Sequence, residues 1–92
     1  MLPGEYIFID TETTGCRPTV DRITEVGLYY VIDGIVQFSW SKLINPEVAI
    51  PLRIQSLTGI TDEMVMNEPV FADIALELAE IIHGKIFVAH NA

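Results

Sequence analysis

Basic residues and cysteines are scarce in this chain. Only 5 of its 92 residues are Lys or Arg, against 13 Asp and Glu, so the formal net charge is −8. This charge argues against binding to long stretches of nucleic acid, which needs a basic surface, unless bound cations offset some of the carboxylates. The single cysteine, Cys16, cannot form an internal disulfide. Such sparse cysteine usage fits a reducing compartment, and we expect a cytoplasmic protein.

Long apolar runs are also missing. Half of the residues are hydrophobic and the mean hydropathy is +0.39, yet no run of about 18 uncharged apolar residues occurs. The segment Met1–Glu5 has neither the basic region nor the long apolar region of a signal peptide. These absences predict a protein without a membrane partner. The length suits one small domain with a modest core.

The most informative feature is an apolar run, Tyr6–Ile9, that ends in two carboxylates, Asp10 and Glu12. Four consecutive apolar residues predict a strand that is buried on both faces. Because side chains alternate along a strand, both carboxylates point to one side, with Cα atoms roughly 6.5–7 Å apart. Two acids at the end of a buried strand are costly unless a positive group pairs with them, and a hard cation is the simplest partner. The alternative is a plain polar strand exit or helix cap, because short motifs have many false positives.

The remaining sequence predicts an α/β fold with a mixed sheet. Asp33-Gly34 is a strong signal for a type I′ hairpin turn. Thr61 is a candidate N-cap for a short helix, and Pro69 is typical of the first turn of a longer one. The predicted elements are strands over 5–10, 23–32, 35–44 and 85–89, and helices over 52–57, from 62 onward and over 69–83.

The order of these elements places the first strand in the centre of the sheet. The last strand is expected to lie parallel to it through a right-handed crossover, and the hairpin is expected on its other side. The carboxyl ends of the first and last strands then adjoin, which brings Asp10 and Glu12 beside His90 and Asn91. In isolation, His90 is as consistent with a hydrogen-bonded strand end, and Asn91 with the start of a turn.

Four segments resemble, in the right order, the motifs of the DEDD superfamily of 3′–5′ exonucleases. The resemblance is strongest to the group that contains the proofreading epsilon subunit of bacterial replicative polymerases and ribonuclease T. It implies a ribonuclease H-like fold and hydrolysis of a phosphodiester by two metal ions, Mg²⁺ or Mn²⁺. The four segments are Phe8–Gly15, Ile23–Gly27, Leu57–Asp62 and Val88–Ala92.

The resemblance also implies roles for individual residues. Asp10 would bridge the two metals and Glu12 would help to hold the one that activates water, so both are expected to be catalytic. The backbone near Thr13 would contact the terminal nucleotide. Leu57, Thr58 and Ile60 would line the pocket for its base, where apolar contact accepts any base. His90 and Asn91 would lie beside the substrate backbone. Without the resemblance, Leu57 and Ile60 are most simply interpreted as core residues. The expected substrate-binding residues are Thr13, Leu57, Thr58, Ile60, His90 and Asn91.

One departure from the family pattern is large. Members complete the site with an aspartate soon after the second motif, and with a histidine or tyrosine and an aspartate much later, whereas this sequence stops at Ala92. We therefore interpret residues 1–92 as the N-terminal part of a single exonuclease domain, truncated after the fourth strand. Its two-metal site would be incomplete and its general base absent. The complete protein is expected to act on single-stranded DNA or RNA 3′ ends, in proofreading or repair, with a DNA polymerase as a candidate partner.

The sequence is also consistent with two other classes of function. The 92 residues alone are expected to be inactive, and an uncovered sheet could make them a non-catalytic module that binds another protein or a second copy of itself. A phosphatase or phosphotransferase with Asp10 as the nucleophile is the other alternative. Trapping of a phosphoaspartate would distinguish that reaction from hydrolysis of a nucleic-acid end.

Overall fold

The residues that the structure describes form a four-stranded sheet with three helices. The structure is a computed structural model that describes the backbone of residues 4–17 and 21–91, with side chains in those ranges up to Lys85. None of the helices in this part of the chain has the length and apolar character needed to cross a membrane. In chain order the elements are β1 (Glu5–Thr13), β2 (Ile23–Ile32), β3 (Ile35–Leu43), α1 (Leu52–Thr58), α2 (Asp62–Val65), α3 (Phe71–Ile82) and β4 (Ile86–Asn91).

The sheet is mixed, as the sequence predicts. Its strand order is β3-β2-β1-β4, with β1 antiparallel to β2 and parallel to β4. The turn between β2 and β3 has positive φ at both Asp33 (49°) and Gly34 (83°), which a type I′ turn requires. The Asp33 carboxylate also accepts a hydrogen bond from the Gly4 N–H at 2.8 Å. The predicted central position of the first strand is therefore confirmed.

Some predicted boundaries were wrong, and distant contacts explain the differences. β1 continues to Thr13 instead of ending at Asp10, because its pairing with β2 extends as far as Ile23. The helix predicted from Pro69 begins at Phe71. The Pro69 carbonyl accepts a hydrogen bond from the Asn45 N–H at 2.9 Å, and a parallel bridge to Asn45 holds Val70 extended. β4 covers Ile86–Asn91 instead of 85–89, since its register with β1 continues that far.

Among the side chains that the structure describes, two apolar clusters form the core. One lies between the sheet and α3, where Val26 and Ile44 are almost fully buried against Ile74 of the helix. Trp40 of β3 extends this contact, because its indole N–H donates to the Glu77 carboxylate at 3.0 Å. The second cluster lies under α1 and α2 and contains Ile50, Ile54, Ile60 and Val65. Because side chains alternate along β1 and Ile9 packs toward α3, Asp10 and Glu12 lie on the opposite face of the sheet.

Candidate functional site

The two carboxylates of the first motif lie within β1. Asp10 is exposed and Glu12 is half-buried. The antiparallel register pairs Asp10 with Gly27 and Glu12 with Glu25 on β2. Residues directly opposite each other share a face of the sheet, so the glycine leaves space beside Asp10 and a third carboxylate adjoins Glu12.

These residues line one open depression of about 230 Å³. None of the described residues that line it is basic, although Asp10, Glu12 and Glu25 all contribute to it. Like charges on opposite strand positions repel, and a bound cation would relieve that repulsion. The lining residues are Asp10, Thr11, Glu12, Glu25, Gly27, Tyr29 and Ser41.

The donor set fits a hard divalent cation in type but not in number. Carboxylate and hydroxyl oxygens are the ligands that Mg²⁺ and Mn²⁺ prefer. Among the side chains that the structure describes, which end at Lys85, however, no three of His, Cys, Asp or Glu come close enough together to hold a metal ion. Asp10 and Glu12 therefore form part of a coordination shell that other ligands would have to complete.

A smaller depression of about 50 Å³ begins at Glu12. It brings Glu12 and Thr13 together with Leu57 and Thr58, which lie at the end of α1. The Thr58 hydroxyl donates to the Ile54 carbonyl at 2.9 Å and accepts from the Ile60 N–H at 3.2 Å, which fixes the end of the helix at this place. Four of the residues that the sequence predicts for the site thus share one depression.

Leu57 and Ile60 have different environments. Leu57 is 77% exposed and lines the small depression, so it is not a core residue. Ile60 is 4% exposed and packs against Ile54 and Val65 in the cluster below α1 and α2. The structure therefore places Ile60 beneath the site and not on its surface, because the chain reverses direction at Gly59 and turns the next side chain inward. Its expected contact with a terminal base therefore stays a prediction, for a side chain that is buried in this structure.

The second motif meets the first at the level of the backbone. The parallel register pairs His90 with Asp10 and Asn91 with Thr11. This is the convergence of strand ends that the topology predicts. The side chains of His90 and Asn91 lie outside the described part of the structure, so their expected contact with substrate stays a prediction.

The loop after β1 is organised by a residue that the sequence analysis missed, Asp21. Its carboxylate accepts hydrogen bonds at 2.8 Å from the Thr14 hydroxyl and from the Arg17 N–H. The bond from the Arg17 backbone, followed by that from Thr14, holds the pKa of Asp21 below its ordinary value. A Cβ at Gly15 would lie 2.6 Å from one of the Asp21 oxygens, so the loop requires a glycine there.

No short-range signal in the sequence indicates this role for Asp21, because its partners, Arg17 and Thr14, are four and seven residues away. Glu25 is different. The predicted hairpin and central strand, combined with the register, would have placed it opposite Glu12. The pairing of strands, and not a motif, was the signal that could have found it.

Comparison with known proteins decides the family. The RNase_T exonuclease family model matches residues 7–92. This chain belongs to that exonuclease family. Exonucleases of this family depend on divalent metal ions.

Two relatives show which exonucleases this chain is similar to. It is 40% identical over 92 residues to the 3′–5′ exonuclease DinG of Bacillus subtilis (strain 168), covering 99% of this chain and 10% of that protein. It is 42% identical over 88 residues to DNA polymerase III subunit epsilon of Treponema pallidum (strain Nichols), covering 95% of this chain and 40% of that protein. The resemblance to DEDD 3′–5′ exonucleases is therefore confirmed.

A solved structure gives the same answer for the fold. Exonuclease X in complex with 5′ overhanging duplex DNA superposes on this chain with a TM-score of 0.76 at 30% identity. The match covers 92% of this chain and 48% of that one. The ribonuclease H-like fold is confirmed, and the chain spans less than half the length of each of these three proteins.

Proposed function

We propose that the complete protein containing this chain is a 3′–5′ exonuclease that hydrolyses phosphodiesters at nucleic-acid 3′ ends with Mg²⁺ or Mn²⁺. The observation that carries the proposal is the shared position of Glu12. It lines the acidic depression with Asp10 and also the smaller depression with Leu57 and Thr58. A candidate metal centre and a candidate nucleotide pocket therefore meet at one side chain.

Asp10 and Glu12 would hold the metal through their carboxylate oxygens. The bound metal ions would supply activation of a water molecule and stabilisation of the leaving oxygen. Glu25 adds to the negative potential beside Glu12 and so favours cations in this depression. The same charge repels phosphate when no cation is present, which makes substrate binding as well as hydrolysis depend on the metal.

The smaller depression suits the terminal nucleoside because it is polar at one end and apolar at the other. Glu12 and Thr13 provide the polar end, where a sugar would lie, and the exposed side chain of Leu57 provides an apolar surface for a base. Apolar and stacking contacts accept every base, as an enzyme that removes successive nucleotides requires. His90 and Asn91 would then flank the substrate backbone beside Asp10.

The relatives support DNA as the substrate. One relative is a subunit of DNA polymerase III, and the exonuclease X structure contains duplex DNA. We therefore place the complete protein in DNA proofreading or repair, with a DNA polymerase as candidate partner. Rates on matched single-stranded DNA and RNA oligonucleotides would test this choice, and a preference for RNA would contradict it.

The test of the proposed reaction is Asp10→Asn in the complete protein, with a 5′-labelled single-stranded oligonucleotide and Mg²⁺. The substitution keeps the shape of the side chain and removes its charge, so we expect hydrolysis to be abolished. Asp73→Asn, in the first turn of α3, is the matched control and should keep the wild-type rate. Wild-type hydrolysis by Asp10→Asn would contradict the proposal. The 92 residues alone should show no turnover, because they supply only part of the coordination shell.

A further inference from the structure

A groove of about 310 Å³ adjoins the small depression, and two arginines and one carboxylate, that of Asp21, line its walls. Arg17 comes from the loop after β1 and Arg53 from α1. Both the groove and the small depression are lined by Cys16, Leu57 and two further residues, Gly15 and Ile54. Two of the five basic residues in a chain of net charge −8 therefore line one groove beside the candidate nucleotide pocket.

The position of Arg17 is fixed by its backbone, which leaves its side chain available. Its N–H donates to the Asp21 carboxylate and its carbonyl accepts from the Asp21 N–H, both at 2.8 Å. The guanidinium donates one hydrogen bond to the same carboxylate, from Nε at 3.4 Å. The side chain of Arg17 is 73% exposed, whereas that of Asp21 is 8% exposed. Most of the guanidinium donors therefore face solvent and the groove.

The charge of Arg53 has no evident use in folding. Arg53 is exposed and lies in the first turn of α1, where the helix dipole disfavours a cation. That turn contains no acidic residue, and no ion-pair partner for Arg53 lies within the ranges that the structure describes. A cation that is kept at an unfavourable end of a helix, on the wall of a groove, is available to bind an anion.

We propose that Arg17 and Arg53 bind a backbone phosphodiester of the nucleic-acid substrate, outside the terminal nucleotide. This inference rests on the proposed exonuclease function. Guanidinium groups match phosphate oxygens with paired hydrogen bonds. Leu57 lines both the groove and the small depression, so it stands between the terminal nucleotide and this phosphate. The phosphate belongs either to the cleaved strand or to its complement.

The test is the double variant Arg17→Gln/Arg53→Gln in the complete protein, assayed by steady-state hydrolysis of a single-stranded DNA oligonucleotide and of the same strand within a duplex. We expect KM to rise about 10-fold with little change in kcat, because charge-assisted hydrogen bonds to the substrate are lost. The slope of log KM against log salt should fall by about 0.7 for each phosphate contact removed. Thymidine 5′-monophosphate should inhibit the variant and the wild type equally, since it occupies only the terminal pocket.

Two control variants separate the groove from general electrostatics. Arg22→Gln removes the same charge at a residue outside the groove, where Arg22 lies 3.9 Å from Glu47, and it should leave KM unchanged. Arg17→Lys/Arg53→Lys keeps the charge and should retain most of the affinity. Circular dichroism of each variant checks that the loop substitutions have not unfolded the protein.

Each outcome decides one question. A rise in KM on the single strand assigns the phosphate to the cleaved strand, and a rise confined to a duplex assigns it to the complement. If the double variant had the wild-type KM and salt slope on both substrates while Asp10→Asn was inactive, the proposed phosphate site would be overturned and the exonuclease proposal would stand. The proposed phosphate site would also be overturned if Arg22→Gln raised KM as much as the double variant does. Weaker inhibition of the double variant by thymidine 5′-monophosphate would have the same consequence. An active Asp10→Asn would instead overturn the exonuclease proposal.

Discussion

The different environments of Leu57 and Ile60 give a pair of opposite expectations for one short segment. Ile60→Ala removes three carbon atoms from a side chain that is 4% exposed, within a cluster of Ile50, Ile54 and Val65. Such substitutions cost roughly 2–5 kcal/mol in well-packed cores. This cluster is small and lies under two short helices that can partly collapse onto the cavity, so we expect about 2–3 kcal/mol.

Leu57→Ala should have little effect on stability, because the side chain is 77% exposed and such surface substitutions change stability by about 0.5 kcal/mol or less. Its effect should appear in substrate binding. Loss of three apolar carbon atoms from the contact with a base costs about 1–2 kcal/mol, which corresponds to a rise in KM of about 5- to 30-fold.

The assay for both variants combines urea unfolding of the complete protein with steady-state hydrolysis of a single-stranded oligonucleotide. Ile60→Ala should lower the free energy of unfolding, and Leu57→Ala should raise KM at nearly constant stability. Leu52→Ala, an exposed leucine at the start of α1 that lines neither depression, is the matched control for Leu57. If Leu57→Ala were as destabilising as Ile60→Ala, or left KM unchanged, the assignment of one residue to the surface and the other to the core would be refuted.

Three further predictions concern the supports of the site. Gly15→Ala should cost about 1–3 kcal/mol in urea unfolding and lower kcat/KM, because the added Cβ would lie 2.6 Å from the Asp21 carboxylate; an unchanged midpoint would contradict this. Asp21 has a folded-state pKa below its ordinary value of 3.8, so its contribution to stability is complete above that pH and is lost as pH falls through the folded pKa. In Asp21→Asn, the free energy of unfolding should therefore fall less between about pH 5 and pH 2 than it does in the wild type. A fall equal to that of the wild type would argue against this role of Asp21. Thr61 accepts a hydrogen bond from the Met64 N–H at 3.3 Å at the start of α2. Thr61→Ala should cost about 1 kcal/mol in urea unfolding, while Thr61→Ser should cost little.

Local chemistry explains what the sequence predicts well. The turn at Asp33-Gly34 and the cap at Thr61 depend on residues within four positions of each other, and both occur as expected. The start of α3 could not be predicted in this way, because Asn45 holds Pro69 and Val70 from another part of the chain. β1 likewise extends past Asp10 only because β2 provides a partner.

The same distinction applies to the candidate site. Alternation along a strand was sufficient to put Asp10 and Glu12 on one side, and the strand order placed them beside β4. Which of Leu57 and Ile60 faces inward was not predictable, because both are apolar and the reversal at Gly59 decides it. The placement of Arg17 and Arg53 in one groove depends on the packing of α1 against the loop after β1, which no pattern in the sequence indicates.

The most direct test of the central claim is a crystal structure of the complete protein with Mn²⁺ and a single-stranded oligonucleotide. Anomalous scattering locates the ions independently of the protein coordinates. We predict ions at about 2.1 Å from carboxylate oxygens of Asp10 and Glu12, a distance typical of small divalent cations, with the 3′-terminal nucleotide against Leu57. Carboxylates that turn away from each other, with no ion beside them while the oligonucleotide is bound, would contradict the account.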